Sequence, residues 1–421
     1  MVFLVCLWNN TYLCQQCFAN RTSMNTHKIY MDEVSIGIVG LGRRGQAAVE
    51  RFAQMEGARV VALCDNDAEH LEEGMRLAVG RGKPVCYSGD DGYQRLCQDP
   101  QVDLVYICTD WQSHVPIALA AMNAGRHVAI EVPAATTLSE IHQLVTTSER
   151  TQRHCMMLEN CCYDFFEMAT LAMSRAGLFG ELVHVEGGYA HPIGEKWTPW
   201  RLDINRRQRG DVYPTHGIGP LCQLLDLHRS DRMKTLVAMD TAAFTGPAVY
   251  EKFMGKAAPD FQNGDQTTTL IRTERGRTLL LEHNVMTPRP YSRLYQIVGT
   301  EGYAQKYPEP LLYFSAEKRH ELGFDLPDGE PLTPLQRDQL LRQFLPDYVE
   351  PLLPLARQLD PRGGLSYLMD WRLIDCLRHG LPLDMDVYDL AEWCCVSELS
   401  RRSIENGSMP VDVPDFYGCA R

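Results

Sequence analysis

"VSIGIVGLGRRGQAAVERFAQM", residues 34–55, decides the fold. It opens as a short apolar, β-branched run and turns through Gly40-Leu41-Gly42-Arg43-Arg44-Gly45. It ends in residues whose apolar positions recur at helical spacing. A second apolar run, "ARVVALC" (58–64), stops at Asp65, 20 residues after Gly45. Each part has a mechanical reason. The first glycine permits a tight turn, the second lets a pyrophosphate approach the backbone, and the third lets helix pack on strand. The helix N-terminus offers N–H groups to phosphate. Asp65 suits a ribose diol and repels a 2′-phosphate, which favours NAD over NADP. A lone G-x-G-x-x-G says little. Strand, loop, helix, strand and acid in this order make Gly40, Gly42, Arg43, Arg44, Gly45 and Asp65 candidate cofactor residues.

The alternation continues outward. "VDLVYICT" (102–109), "RHVAIEVP" (126–133) and "RHCMMLEN" (153–160) read as buried strands, with helical runs between them. Continuous apolar strands alternating with amphipathic helices predict a doubly wound parallel sheet. Ligands gather beyond the carboxyl ends of such strands. That places Trp111, His114, Glu131, Val132 and Asn160 beside the cofactor. After Asn160 the pattern changes. "GELVHVEGGYAH" (180–191), "TTTLIRTERGRTLLLEHN" (267–284) and "RLYQIVGTEGYAQKY" (293–307) alternate as antiparallel strands do. Helical runs at 332–345, 367–381 and 386–407 follow, as packing or assembly elements. The chain is α/β, with an NAD-binding Rossmann domain over 33–160. A substrate-binding α+β domain with an open, largely antiparallel sheet covers 161–421. A length of 421 residues fits two domains.

A net charge of −13 argues against nucleic acid and anionic membrane as partners. Residues 1–32 read as a disordered leader or an upstream start, because "MVFLVCLW" is short and lacks a basic start. Cys14 and Cys17 are spaced C-x-x-C without a second pair, so no metal is expected; Cys6 shares this segment. Fifteen cysteines, many within apolar runs such as Cys64, Cys108 and Cys155, suit buried thiols in a reducing compartment. Cytoplasm is the expected location, and export the alternative if the start is misplaced.

The first half resembles the glucose–fructose oxidoreductase / inositol dehydrogenase family, whose signature is Glu-Lys-Pro after the fifth strand. This chain has Glu131-Val132-Pro133, and valine carries no proton. Longer stretches are similar to glycoside hydrolase family 109, the NAD-dependent α-N-acetylgalactosaminidases. They are "EVPAATTLSEIHQLVTTSERTQRHCMMLENCCY" (131–163), "WTPWR" (197–201), "GDVYPTHGIGP" (210–220) and "PRPYSR" with "GTEGYAQKYP" (288–308). The resemblance implies an oxidation at C3 of the sugar that is later reversed. Between the two steps, the C2 proton and the aglycone at C1 are lost and water is added.

It also implies catalytic roles for His216, Tyr213 and Tyr291, with His216 taking the 3-hydroxyl proton. Sugar contacts would come from Tyr189, Arg201, Tyr213, Pro214, Thr215, His216 and Tyr291, with Trp200 as a stacking face. Tyr213 would also meet the cofactor. A helix beginning near Thr215, with Thr215 as its cap, would aim Tyr213 and His216 into the crevice. Three alternatives stand beside this reading: an NAD-dependent sugar dehydrogenase, a non-catalytic NAD-containing sugar sensor, and the same hydrolysis of another sugar. The partner is a small-molecule or glycan substrate. An open sheet face offers a surface for a homo-oligomer.

Overall fold

A computed structural model describes residues 31–78 and 82–417. Cys6, Cys14, Cys17 and all but the last two residues of the expected leader lie outside them. Met31 and Asp32 are tied to the body of the protein, Met31 by an N–H donated to the Arg378 carbonyl at 3.0 Å.

Six parallel strands form the first sheet: β1 (Val34–Val39), β2 (Ala58–Cys64), β3 (Val85–Tyr87), β4 (Leu104–Ile107), β5 (His127–Ile130) and β6 (Cys155–Met157). Their order is β3-β2-β1-β4-β5-β6. Every residue of β1 is buried, because helices cover both faces and no position meets water. Strand order reverses between β1 and β4, so the loops beyond their carboxyl ends part and leave a crevice. The helix Arg43–Ala53 starts inside the glycine loop at its rim.

Eight strands form the second sheet: β7 (Leu182–Ala190), β8 (Met233–Asp240), β9 (Thr267–Thr273), β10 (Thr278–Asn284), β11 (Gln296–Gly299), β12 (Gly302–Gln305), β13 (Leu311–Phe314) and β14 (Val411–Asp412). The order is β13-β12-β11-β7-β10-β9-β8-β14. All pairings are antiparallel except that of β7 with β10. In β9, Thr267, Thr269, Ile271 and Thr273 are buried while Leu270 and Arg272 face water. The outer face of this sheet also exposes Val183 and Met239.

The last two long helices return to the first sheet. Val387–Glu405 is buried along most of its length between the helix Leu138–Thr151, β6 and β8. Asp386 caps it, accepting N–H bonds from Tyr388 at 2.8 Å and Asp389 at 3.1 Å. In Leu365–His379, Asp370 is wholly buried. It accepts from Arg51 Nε at 2.6 Å and from the Tyr106 hydroxyl at 2.9 Å. These helices therefore pack within the chain. No described helix is long and apolar enough to cross a membrane.

Candidate active site

The glycine loop has the shape its sequence predicts. Gly40 takes φ +89°, where a Cβ would lie 2.7 Å from the Cys108 carbonyl carbon. A Cβ on Gly45 would collide with the Gly40 carbonyl oxygen, so the helix can press onto the turn only without a side chain. Around Gly42 a Cβ would meet nothing within 4 Å. That open side leaves room for a pyrophosphate to approach the backbone.

Asp65, just past β2, accepts from the Leu41 N–H at 2.6 Å and from the Asp67 N–H at 2.9 Å. Its remaining lone pairs can take ribose hydroxyls. Arg43 is exposed, whereas Arg44 donates from Nε to Glu131 Oε1 at 2.7 Å, tying the loop to the Glu131-Val132-Pro133 turn. The donor set fits NAD. Asp65→Ala is expected to weaken NAD binding while admitting NADP, narrowing the affinity ratio at least tenfold; titration of both nucleotides by protein fluorescence checks it.

Two sequence candidates turn out to be engaged elsewhere. The buried His114 ring lies between the carbonyls of Pro133 (Nδ1, 2.9 Å) and Thr109 (Nε2, 3.1 Å), which makes it a clamp on the crevice loops. Asn160 donates from Nδ2 to Ser366 Oγ at 3.0 Å, binding the turn after β6 to a C-terminal helix. Val132 is buried beside them.

Facing the crevice is an aromatic wall. Trp111, the first residue of its helix, stacks on Tyr213 with centroids 5.6 Å apart. Arg201 lies over the Tyr213 ring at 4.9 Å, between Trp111 and Trp197, and its buried Nε has no partner. Trp200 sets an edge against Trp111 at 5.3 Å. From β7, Tyr189 meets Tyr213 at 5.0 Å and His216 at 5.1 Å. His191 stacks on Tyr189 at 5.4 Å. Burial and the nearby cations Lys196 and Arg201 depress its pKa to about 4, so its ring is neutral. Tyr291 is 45% exposed and touches the far side of His191. It sits at the rim, with the His191 and Tyr189 rings between it and His216.

The helix Thr215–Leu224 carries His216. Thr215 does not cap it. Pro214 occupies the capping position and makes no side-chain bond, while Thr215 already lies inside the first turn with its hydroxyl buried. A cap must stand one residue earlier for its oxygen to reach the free N–H groups. The helix lies against β7 backbone to backbone. A Cβ on Gly217 would come within 2.6 Å of the Gly188 nitrogen, and one on Gly187 within 2.5 Å of the Gly217 carbonyl oxygen.

His216 Nε2 is 3.3 Å from the Tyr213 hydroxyl, and its Nδ1 is 2.7 Å from Glu159 Oε1. Glu159 was not among the sequence candidates. It lies two residues past β6, fully buried, accepting the Cys161 N–H at 3.1 Å and facing the Thr215 hydroxyl. Burial opposes charge on His216, but Cys161 and the Glu159 carboxylate hold its pKa well above the ordinary value. Burial likewise opposes charge on Glu159, yet His216 and the Cys161 N–H keep it below the usual carboxylate range. Burial raises the Tyr213 phenol, which stays protonated.

Among the described residues, ligand-type atoms converge at Glu159, Cys161 and His216, and again at His228, Asp386 and Asp389. In both groups the acids already face a cation. Glu159 faces His216, and Asp389 takes a two-pronged bond from Arg229 at 3.0 and 2.7 Å. Neither is read as a metal site.

Residues 193–420 match the model for the glycosyl hydrolase 109 C-terminal domain, and residues 34–159 that for the oxidoreductase family NAD-binding Rossmann fold. A glycosyl hydrolase family 109 protein of Porphyromonas gingivalis is 53% identical over 401 residues, covering 92% of this chain and 85% of that protein. The chain belongs to glycosyl hydrolase family 109. A second family 109 protein, from Bacteroides thetaiotaomicron, is 51% identical over 399 residues, covering 92% of this chain and 85% of its own. Fold neighbours of this family 109 chain include dehydrogenases. The WlbA dehydrogenase of Bordetella pertussis, solved with NADH and UDP-GlcNAcA, superposes with TM-score 0.67 at 17% identity over 92% of this chain and 99% of its own. The myo-inositol 2-dehydrogenase of Lactobacillus plantarum gives 0.66 at 16% identity, over 91% of this chain and 100% of its own. The family 109 chain thus joins an NAD-binding domain of oxidoreductase type to a glycosyl hydrolase 109 domain.

Proposed function

We propose that this protein hydrolyses terminal α-N-acetylgalactosamine by transient oxidation at C3, elimination across C1–C2, addition of water and re-reduction. The carrying observation is the Glu159–His216–Tyr213 chain at the carboxyl edge of the NAD-binding sheet, beside a Val132 that cannot move a proton. Bound NAD supplies the reversible acceptor for the C3 hydrogen with its electron pair. His216 Nε2 takes the proton of the 3-hydroxyl and later returns it. Tyr213, 3.3 Å away, relays protons and donates toward oxygen charge that develops as C2 is deprotonated. Cys161 and the Glu159 carboxylate raise the pKa of His216, so its base strength grows as pH rises.

Arg201 has an unpaired Nε to donate to a sugar or acetamido oxygen, and Trp111 with Trp200 offers a stacking face. Tyr189, Pro214 and Thr215 shape the floor. Tyr291 at the rim is placed to meet the departing aglycone as an acid. We assign cofactor binding to 33–160 and the sugar to 161–421.

A panel of nitrophenyl glycosides, with a C2-deuterated substrate, tests this reading. The expected result is preferential cleavage of the α-N-acetylgalactosaminide, with deuterium lost to solvent and no net NADH formed. Full retention of deuterium without an isotope effect rules out the elimination. Net NADH accumulation with free sugars would instead mark a dehydrogenase.

A further inference from the structure

We infer that Glu159 is the positioning residue that makes His216 a base: it fixes the imidazole's tautomer and balances the charge His216 gains. This deepens the proposed function and rests on its assignment of His216. Four observations converge. Glu159 is 0% exposed, and a carboxylate so placed needs a cationic or N–H partner. Its partners are His216 Nδ1 at 2.7 Å, the Cys161 N–H at 3.1 Å and the Thr215 hydroxyl. An ionised carboxylate only accepts, so Nδ1 must carry hydrogen and the Nε2 lone pair points toward Tyr213 and the crevice. The aim is set from His216's own helix. A Cβ on Gly219 would come within 2.9 Å of Glu159 Cγ and 3.1 Å of the Trp393 ring, so the bare backbone there admits the Glu159 stem.

The chemistry follows from this geometry. As the electron pair of the C3–H bond passes to the oxidised nicotinamide, the sugar O–H bond breaks and the proton forms a bond to Nε2. Nδ1–H remains with Glu159, which stays ionised, and the imidazolium is neutralised within one hydrogen bond. When the ketone is reduced again, the proton returns to oxygen. Other ionisable groups facing the pair are few. Cys161 and Cys162 come from the turn after β6, Tyr189 from β7, His191 from the residue that follows it, and Tyr213 from the loop before the helix. Arg201 and Glu131 act through Tyr213, and Cys394 approaches Glu159 from the helix Val387–Glu405.

The test compares Glu159→Gln and Glu159→Asp in the full NAD-loaded enzyme. It reads the pH dependence of kcat/KM on the nitrophenyl α-N-acetylgalactosaminide and the NMR titration of His216. Glu159→Gln should lower kcat/KM by roughly 10²-fold or more, and move both the rising limb and the His216 titration to lower pH. Glu159→Asp should restore part of each. An unmoved His216 titration with an unmoved limb overturns the inference. Should His216→Ala stay active, the proposed base fails, yet the His216 titration in Glu159→Gln still decides whether Glu159 governs that ring. If Glu159→Gln does not fold, the wild-type protein decides. A His216 titration above 6.5 supports the pairing, and one below it refutes it.

Discussion

His216→Ala should lower kcat/KM on the nitrophenyl α-N-acetylgalactosaminide by about 10²–10⁴-fold, the range lost when a positioned proton acceptor is removed. NAD affinity should hold within a few-fold. The proposed nucleotide contacts lie on the loop Gly40 to Gly45 and on Asp65, whereas His216 rides a helix of the second half. The helix itself should persist. His216 supplies no cap, and the approach of Gly217 to Gly188 that seats it is made by backbone. Steady-state rates with a parallel NAD titration separate the two properties. Wild-type turnover would make His216 structural. A joint collapse of turnover and NAD binding would point to damage to the crevice as a whole.

Asp370→Ala carries the largest expected loss of stability. Its carboxylate is wholly buried and answers both Arg51 and Tyr106, joining a C-terminal helix to the first helix and fourth strand of the nucleotide-binding sheet. Removing one member strands the Arg51 guanidinium without water, a loss of about 3–5 kcal/mol. At roughly 2 °C per kcal/mol for a large domain, the thermal midpoint should fall by about 6–10 °C. Asp370→Asn, which keeps an acceptor for Arg51, should lose less. Scanning calorimetry of the three proteins checks the order. An unchanged midpoint for Asp370→Ala would show that the helix is held by its apolar contacts alone.

The first sheet was legible because its strands other than the exposed edge strand β3 are buried on both faces and so read as unbroken apolar runs, with Gly40, Gly42 and Gly45 fixing where the chain turns. The hairpins β9–β10 and β11–β12 were legible because each pairs neighbours in sequence. The parallel contact between β7 and β10 was not. It joins Leu182–Ala190 to Thr278–Asn284 across most of the second domain, and alternation does not say which strands are adjacent. Tyr213 and His216 could be read together, three residues apart at a helix start. Glu159 could not, because 57 residues separate it from His216 and nothing local distinguishes it from any acid after a strand. His114 shows the opposite limit. Its position beyond β4 suggested a ligand, but both ring nitrogens face backbone carbonyls, and the buried neutral ring gives its one N–H to the protein itself.

The seam where the His216 helix meets β7 restricts how this protein can change over generations. Gly187, Gly188 and Gly217 interlock so closely that a side chain at either contact would have to displace the opposite backbone. A side chain at Gly187 or Gly217 therefore carries a steric cost that no rotamer relieves. Tyr189 and His216, carried by the two sides of that seam, are thus held in a fixed spatial relation. Substitution meets less resistance in the stretch bearing Trp197, Trp200 and Arg201, where side chains rather than main chains meet.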